Sequence, residues 1–347
     1  MTPSLTPKER IYAIVNGRPY DRTAVTPIFM AWAAHFIGRT YRDYYLDGDV
    51  LAQAQLAVTK IFHLDQVSAI SDPWREASAY GMEFEYPEDG VGRPRDILVK
   101  SAGDIKRIGL LDINGSQRTR QRIESLQIMA SDLGETHSVL GWVEGPLAEY
   151  ADLRGLENAL IDLIENPEMF FTAGEMIVQN GIKFAAAQVK AGADMIGIGD
   201  AAASLIGPGL YRKLVLPLEQ KLIAGIHEAG GAVKLHICGN TNSLVEDMAR
   251  SGADIIDLDW MVPLAEGRER VGPRVTLCGN FDPLAVLLRG GPEDVARAAE
   301  RCLREGGERF ILMPGCEVPP ATPPENIRAF CPGDGCLIAE ALAERNK

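Results

Sequence analysis

The segment Lys234-Leu235-His236-Ile237-Cys238-Gly239-Asn240 sets an imidazole and a thiol two residues apart within an apolar run. On an extended strand, residues i and i+2 point to the same face, so His236 and Cys238 can converge on one atom. Imidazole nitrogen and thiolate sulfur together suit zinc, a borderline-soft ion. A third ligand of the same kind stands far along the chain, Cys316 in Met313-Pro314-Gly315-Cys316-Glu317. Three protein ligands with an open fourth position is the pattern of a catalytic zinc rather than a structural one. The competing reading is a chance His-x-Cys whose cysteine packs as a small hydrophobe.

Carboxylates stand near the same positions. Glu144, in Gly141-Trp142-Val143-Glu144-Gly145-Pro146, ends an apolar run before a turn. It reads either as an acid–base or substrate-binding group or as a cap for the helix that follows. Asp200 and Asp259 carry the same two readings. The other cysteines read as packing or local residues: Cys278 at a strand end, Cys302 inside a helix over 293–304, and Cys331 with Cys336 in CPGDGC. His35 and His227 read as structural histidines.

These residues need elements to position them. Short apolar runs at 26–30, 65–70, 138–144, 194–199, 233–238, 254–259, 275–279 and 310–314 alternate with stretches of helical period. Nearly continuous apolar runs are what parallel strands covered on both faces require. Eight of them separated by helices predict an α/β fold, a single (β/α)8 TIM barrel spanning residues 1–347. A doubly wound open sheet is the alternative, but no strand is followed by a dinucleotide-binding glycine pattern. Residues 82–86 and 96–99, flanking PEDGVGRPR, predict a β-hairpin insertion. In a barrel, chemistry collects where strands end. The polar residues there are His35, Asp72, Glu144, Asp200, His236, Cys238, Asp257, Asp259, Asn280, Asp282 and Cys316. The loop bearing Cys316 closes beside the first strand and the His236–Cys238 strand lies across the ring, so all three ligands can reach one central site.

Composition narrows the function classes. The chain has 347 residues, 46% hydrophobic and 24% charged, an ordinary globular balance. Its 35 Lys plus Arg against 48 Asp plus Glu leave a formal charge of −13, which argues against nucleic-acid binding as the main role. The longest apolar stretch, 24–38, is interrupted by Pro27 and His35 and is too short for a bilayer. The opening residues lack the apolar core of a secretory leader. Six cysteines without such a leader predict reduced thiols and a cytoplasmic setting. The hairpin offers a surface for a homodimer.

The chain resembles the uroporphyrinogen decarboxylase superfamily over nearly its whole length. Within it, the similarity is to the branch of zinc-dependent corrinoid methyltransferases of the methylcobalamin:coenzyme M type. It is carried by LTPKERIYAIVNGRPYDRTAVTPI, GPLAEYADLRG, YRKLVLPLEQKLI, HICGNT, CGNFDP and PGCEVPPATPPENIRA. HIC paired with the late PGC is the specific part. The resemblance implies a (β/α)8 barrel, with zinc held by His236, Cys238 and Cys316 and with Asp259 as a fourth or displaceable ligand. It implies methyl transfer between a corrinoid, methylcobalamin or its like on a separate corrinoid-binding partner protein, and a small methyl acceptor or donor. Glu144 and Asp200 would shape the acceptor pocket or manage the released proton. A thiol is the acceptor that zinc activates; a corrinoid-linked O-demethylase, a tetrahydrofolate methyltransferase and a non-catalytic ligand-binding barrel are the alternatives. Uroporphyrinogen decarboxylation is disfavoured, because the segment Ala31 to Arg39 holds one arginine where the decarboxylases carry a basic cluster for porphyrinogen carboxylates.

Overall fold

The computed structural model describes residues 4–343; residues 1–3 and 344–347, the two ends of the expected single domain, lie outside the described residues. Seven strands form one parallel sheet. They are β1 (Gln66–Ser68), β4 (Ser138–Glu144), β5 (Met195–Gly199), β6 (Ala232–Ile237), β7 (Ile255–Leu258), β8 (Thr276–Phe281) and β9 (Phe310–Pro314), in that order across the sheet. A separate two-stranded pair joins β2 (Phe84–Glu85) to β3 (Arg93–Pro94). Helices connect the strands, among them Pro146–Arg154, Pro167–Lys190, Leu216–Glu228 and Pro292–Gly306. The sheet curls, so its first and last strands approach one segment. Leu312 of β9 donates to Ala24 O and accepts from Thr26 N, while Asp65 N, beside β1, donates to Val25 O.

The first expected strand, 26–30, is therefore reduced to an isolated bridge between Val25 and Leu312. The next donor along that ladder, toward Thr26 O, would be residue 314, and Pro314 has no N–H to give, while Pro27 can offer none toward β1. The hairpin differs as well. Its second strand is Arg93–Pro94, and the expected strand at 96–99 is irregular. There Leu98 N and Val99 N both donate to Leu153 O, so the segment docks on the end of a helix instead of pairing.

Alternation along the strands divides the core. Val233, Leu235 and Ile237 of β6, with Ile256 and Leu258 of β7, pack outward into the large cluster under the helices. Ile255, Leu140, Trp142, Met195, Cys278, Ile311 and Met313 form a second cluster inside the curl. The helix Pro7–Val15 plugs that interior through Ile11, Ala13 and Ile14. Its start is fixed by a capping box, Thr6 with Glu9, and by Pro7 in the first turn. Beside the plug, the fully buried Asp65 accepts from Arg10 at 2.5 Å, Arg22 at 2.8 Å and Val25 N at 2.7 Å. No described helix is long and apolar enough to cross a membrane.

Candidate metal centre and its cavity

Strand parity decides where the ligands point. With Leu235 and Ile237 packed outward, Lys234 and His236 must face the interior of the curl, and Cys238 follows at the same parity. His236 Nε2 lies 3.0 Å from Cys238 Sγ, and Cys238 Sγ lies 3.9 Å from Cys316 Sγ. Ligand atoms of all three residues fall within 4.8 Å of one another, although 78 residues separate the two cysteines in the chain. A tetrahedral zinc with Zn–S bonds of about 2.3 Å sets two thiolates about 3.8 Å apart, so this donor set fits that ion. The two thiols share a proton unequally. The Cys238 thiol donates to Cys316 and, helped by His236, holds it down to about 4 against burial, while that same contact pushes Cys238 up.

The imidazole is oriented from behind. Asp257 Oδ2 lies 3.4 Å from His236 Nδ1 and 3.1 Å from Nζ of the buried Lys234. Burial alone would raise the Asp257 carboxyl, but Lys234 and His236 outweigh it and hold it below its ordinary range. Asp259 stands outside the three-residue cluster. Its two oxygens accept from Gly239 N at 2.9 Å and Met261 N at 3.0 Å, so it ties the loop after β6 to the loop after β7. The loop bearing Cys316 leans on the same region. Gly315 has no Cβ, and one there would collide with the backbone nitrogen of Trp260.

A cavity of about 600 Å³ opens from Cys238 and Gly239. Its walls include Trp74, Ile97, Leu156 and Leu205, and its carboxyl groups are Glu144 and Asp152. Glu144 is placed by its neighbour. The Trp142 indole lies over Gly197 and Gly199, whose side chains would otherwise strike it, and Nε1 donates to Glu144 Oε1 at 3.1 Å. Burial, then Glu76 and Asp152, push the Glu144 carboxyl well above its ordinary range. Asp200 is not among the residues lining this cavity. It is fully buried and accepts from Ala148 N at 2.7 Å and Leu147 N at 3.3 Å, capping the helix that follows β4. The cap expected of Glu144 is thus supplied by a carboxylate from the next strand.

The remaining strand-end residues have local partners. His35 pairs with Asp89 at 2.7 Å, Asp72 with Arg118, and Asp282 caps Leu284 N and Ala285 N. Asn280 donates to Asp259 O at 3.2 Å and Val262 O at 2.6 Å. Cys278 packs inside the curl, and all six cysteines are free. Sequence reasoning gave no role to Lys234, Glu76, Glu149 or Asp152. Lys234 carried a signal, since it shares the parity of His236; the acidic trio did not, because burial of a helix face against a distant strand is not local information.

The chain belongs to the uroporphyrinogen decarboxylase (URO-D) family, whose description matches residues 6–332. Among its relatives is the methylcobamide:CoM methyltransferase MtaA of Methanosarcina barkeri, 27% identical over 347 aligned positions that cover 94% of this chain and 96% of the relative. The methylcobamide:CoM methyltransferase MtbA of Methanosarcina acetivorans is 28% identical, covering 93% and 96%. A uroporphyrinogen decarboxylase of Coxiella burnetii is 27% identical, covering 93% of each. A solved methyltransferase from Methanosarcina mazei superposes with a TM-score of 0.83 at 24% identity, covering 94% of this chain and 97% of its own, and shows that the two share a fold.

Proposed function

We propose that this chain is a zinc-dependent methyltransferase that moves a methyl group between a corrinoid and a small substrate, with a thiol as the acceptor that the site activates best. Overall identity does not separate methyltransferase from decarboxylase, since relatives of both kinds stand at 27%. The observation that carries the reading is the convergence of His236, Cys238 and Cys316, with Cys238 also lining the cavity. A porphyrinogen decarboxylase needs bases for its substrate's carboxylates. The segment in question here is the helix Ala31–Phe36, whose Ala31, Trp32, Ala33 and Ala34 are buried in packing. The curled sheet with its Val25 link is read as one (β/α)8 barrel.

His236 through Nε2, with Cys238 and Cys316, would hold the zinc. The bound ion would lower the pKa of a thiol in its open position and keep the sulfur nucleophilic. Asp257 faces Nδ1 at 3.4 Å, and a carboxylate on that side favours the tautomer that leaves Nε2 free to ligate. Asp259 fixes both flanking loops, and it is the carboxylate proposed for the fourth position. Glu144 shapes the pocket and holds a proton at its carboxyl, while Asp200 acts one layer back by fixing the helix Pro146–Arg154. Exposed Leu205, Trp260, Met261 and Leu284 lie on the segments after β5, β7 and β8. Such apolar residues on the site's face suit docking of a corrinoid-bearing partner protein. Six free thiols fit a reducing, cytoplasmic setting.

The test is metal content on protein purified without a metal-binding tag, for wild type and His236→Ala. About one zinc per wild-type chain and none in the variant are expected, followed by thiol-dependent loss of methyl from methylcobalamin. A wild-type chain that stays free of metal after anaerobic reconstitution overturns the proposal.

A further inference from the structure

The cavity that opens from Cys238 has an unusual charge balance. Glu144 and Asp152 line it, and no lysine, arginine or histidine does among the described residues. Both acids are partly buried. Asp152 faces the cavity, and no described residue donates a hydrogen bond to its carboxyl. Two further acids stand behind this pair. Glu76 accepts from Glu144 N at 3.1 Å, and Glu149 is 1% exposed with neither carboxyl oxygen partnered. Arg122 bonds to Trp142 O at 2.8 Å and Ser71 Oγ at 3.0 Å and eases the charge of Glu76 and Glu144 without outweighing their burial, while no cation acts on Asp152 or Glu149. Apart from Ser204 and Cys238 the remaining lining residues are apolar or glycine, and Trp74 contributes an aromatic ring.

An anion here would meet carboxyls on two sides and no cationic side chain, only neutral donors such as Ser204 Oγ and Trp74 Nε1. A cation would meet two carboxyls that its own charge would help to ionise, an apolar wall for its carbon atoms and an indole ring, the combination that recognises alkylated ammonium groups. We propose that this cavity binds a small organic cation with an apolar body, of the methylated-ammonium type, and excludes sulfonates and carboxylates. Its role as substrate rests on the methyl-transfer reading above; its binding chemistry does not. Coenzyme M carries a sulfonate, so the cavity separates this chain from the relatives whose names include that acceptor.

The experiment is calorimetric titration of the purified, zinc-reconstituted chain with choline, with its uncharged isostere 3,3-dimethylbutan-1-ol, and with isethionate, none of which carries a thiol. Choline is expected to bind at least about tenfold more tightly than the isostere, and isethionate not at all. Asp152→Asn should lose about that factor for choline and leave the isostere unchanged, with Glu144→Gln as a second variant should the first fail to fold. Equal binding of choline and isostere, absence of choline binding, or tighter binding of isethionate overturns the proposal. Zinc content measured on the same preparation reports separately on the methyl-transfer reading. Choline binding without zinc would remove that reading and keep the cation site; zinc without choline binding would do the reverse.

Discussion

Asp257 Oδ2 stands 3.4 Å from Nδ1 of His236, on the opposite side of the imidazole from Cys238. The two residues are register partners across β6 and β7, so the sheet itself delivers the carboxylate to the ring. A carboxylate at Nδ1 fixes the tautomer and raises the basicity of Nε2. Asp257→Asn keeps the side chain's size and removes its charge. Zinc affinity should fall about 10–100-fold, read by competition with a chelator. Wild-type affinity in that variant would make Asp257 a partner of Lys234 alone.

Cys238→Ser and Cys316→Ser should each lose the metal while unfolding stays cooperative, because both thiols are only partly buried. His35→Ala, which breaks a surface pair with Asp89, and Cys302→Ala, on the buried face of the helix Pro292–Gly306, should leave zinc content unchanged. Leu235→Ala gives the scale for a true packing loss, about 2–5 kcal/mol in a fully buried site. Cysteine variants that lose as much stability, with metal retained, would be packing residues.

The three soft donors were legible because strand parity is a local property: His236 and Cys238 had to share a face, and Cys316 had to follow the last strand. Seven of the strands were legible for the same reason, as apolar runs covered on both sides. The eighth failed at its prolines: Pro314 has no N–H to continue the ladder beside β9, and Pro27 offers none toward β1. The hairpin's far strand failed because Leu98 and Val99 found a better acceptor in Leu153 O, a contact no local pattern announces. The caps illustrate the same limit. A carboxylate before a turn is a cap for some helix, but only the assembled sheet shows that Asp200, not Glu144, serves the helix Pro146–Arg154.

Gly315 links the metal loop to its neighbour. Its N–H donates to Phe281 O at 2.9 Å, and an added methyl would meet the Trp260 backbone. Gly315→Ala should cost about 1–3 kcal/mol and weaken zinc binding as the Cys316 loop moves aside. Gly209→Ala, with open space around the new methyl, is the matched control and should change neither. Unaltered zinc affinity in Gly315→Ala would show that the loop yields without moving Cys316.

The Val25 link depends on Asp65, which binds two arginines and the Val25 N–H with no exposure to solvent. Asp65→Ala leaves Arg10 buried beside a lost partner and should cost about 3–5 kcal/mol. Asp65 immediately precedes β1, at the end of the sheet away from the zinc ligands, so zinc stoichiometry of the folded fraction should stay as in wild type. Loss of metal at full fold would place the clamp and the site in one cooperative unit.

Asp200 predicts a pH dependence. Burial pushes its carboxyl from an ordinary 3.8 up to about 7, against the N–H groups of Ala148 and Leu147, which favour the charged form. Between those values the folded chain keeps a proton that the unfolded chain gives up. The group's contribution to stability is therefore full below about pH 4, falls as pH rises, and levels off above about 7. Asp200→Asn retains an oxygen for the Ala148 N–H but cannot ionise. Relative to wild type it should gain stability as pH rises across this window, on the order of a few kcal/mol in total, and then hold that difference constant. Urea unfolding of both proteins between about pH 5 and 8 reads the difference directly. A gap that does not change with pH would mean that Asp200 stays ionised in its cap, with the two backbone donors outweighing its burial.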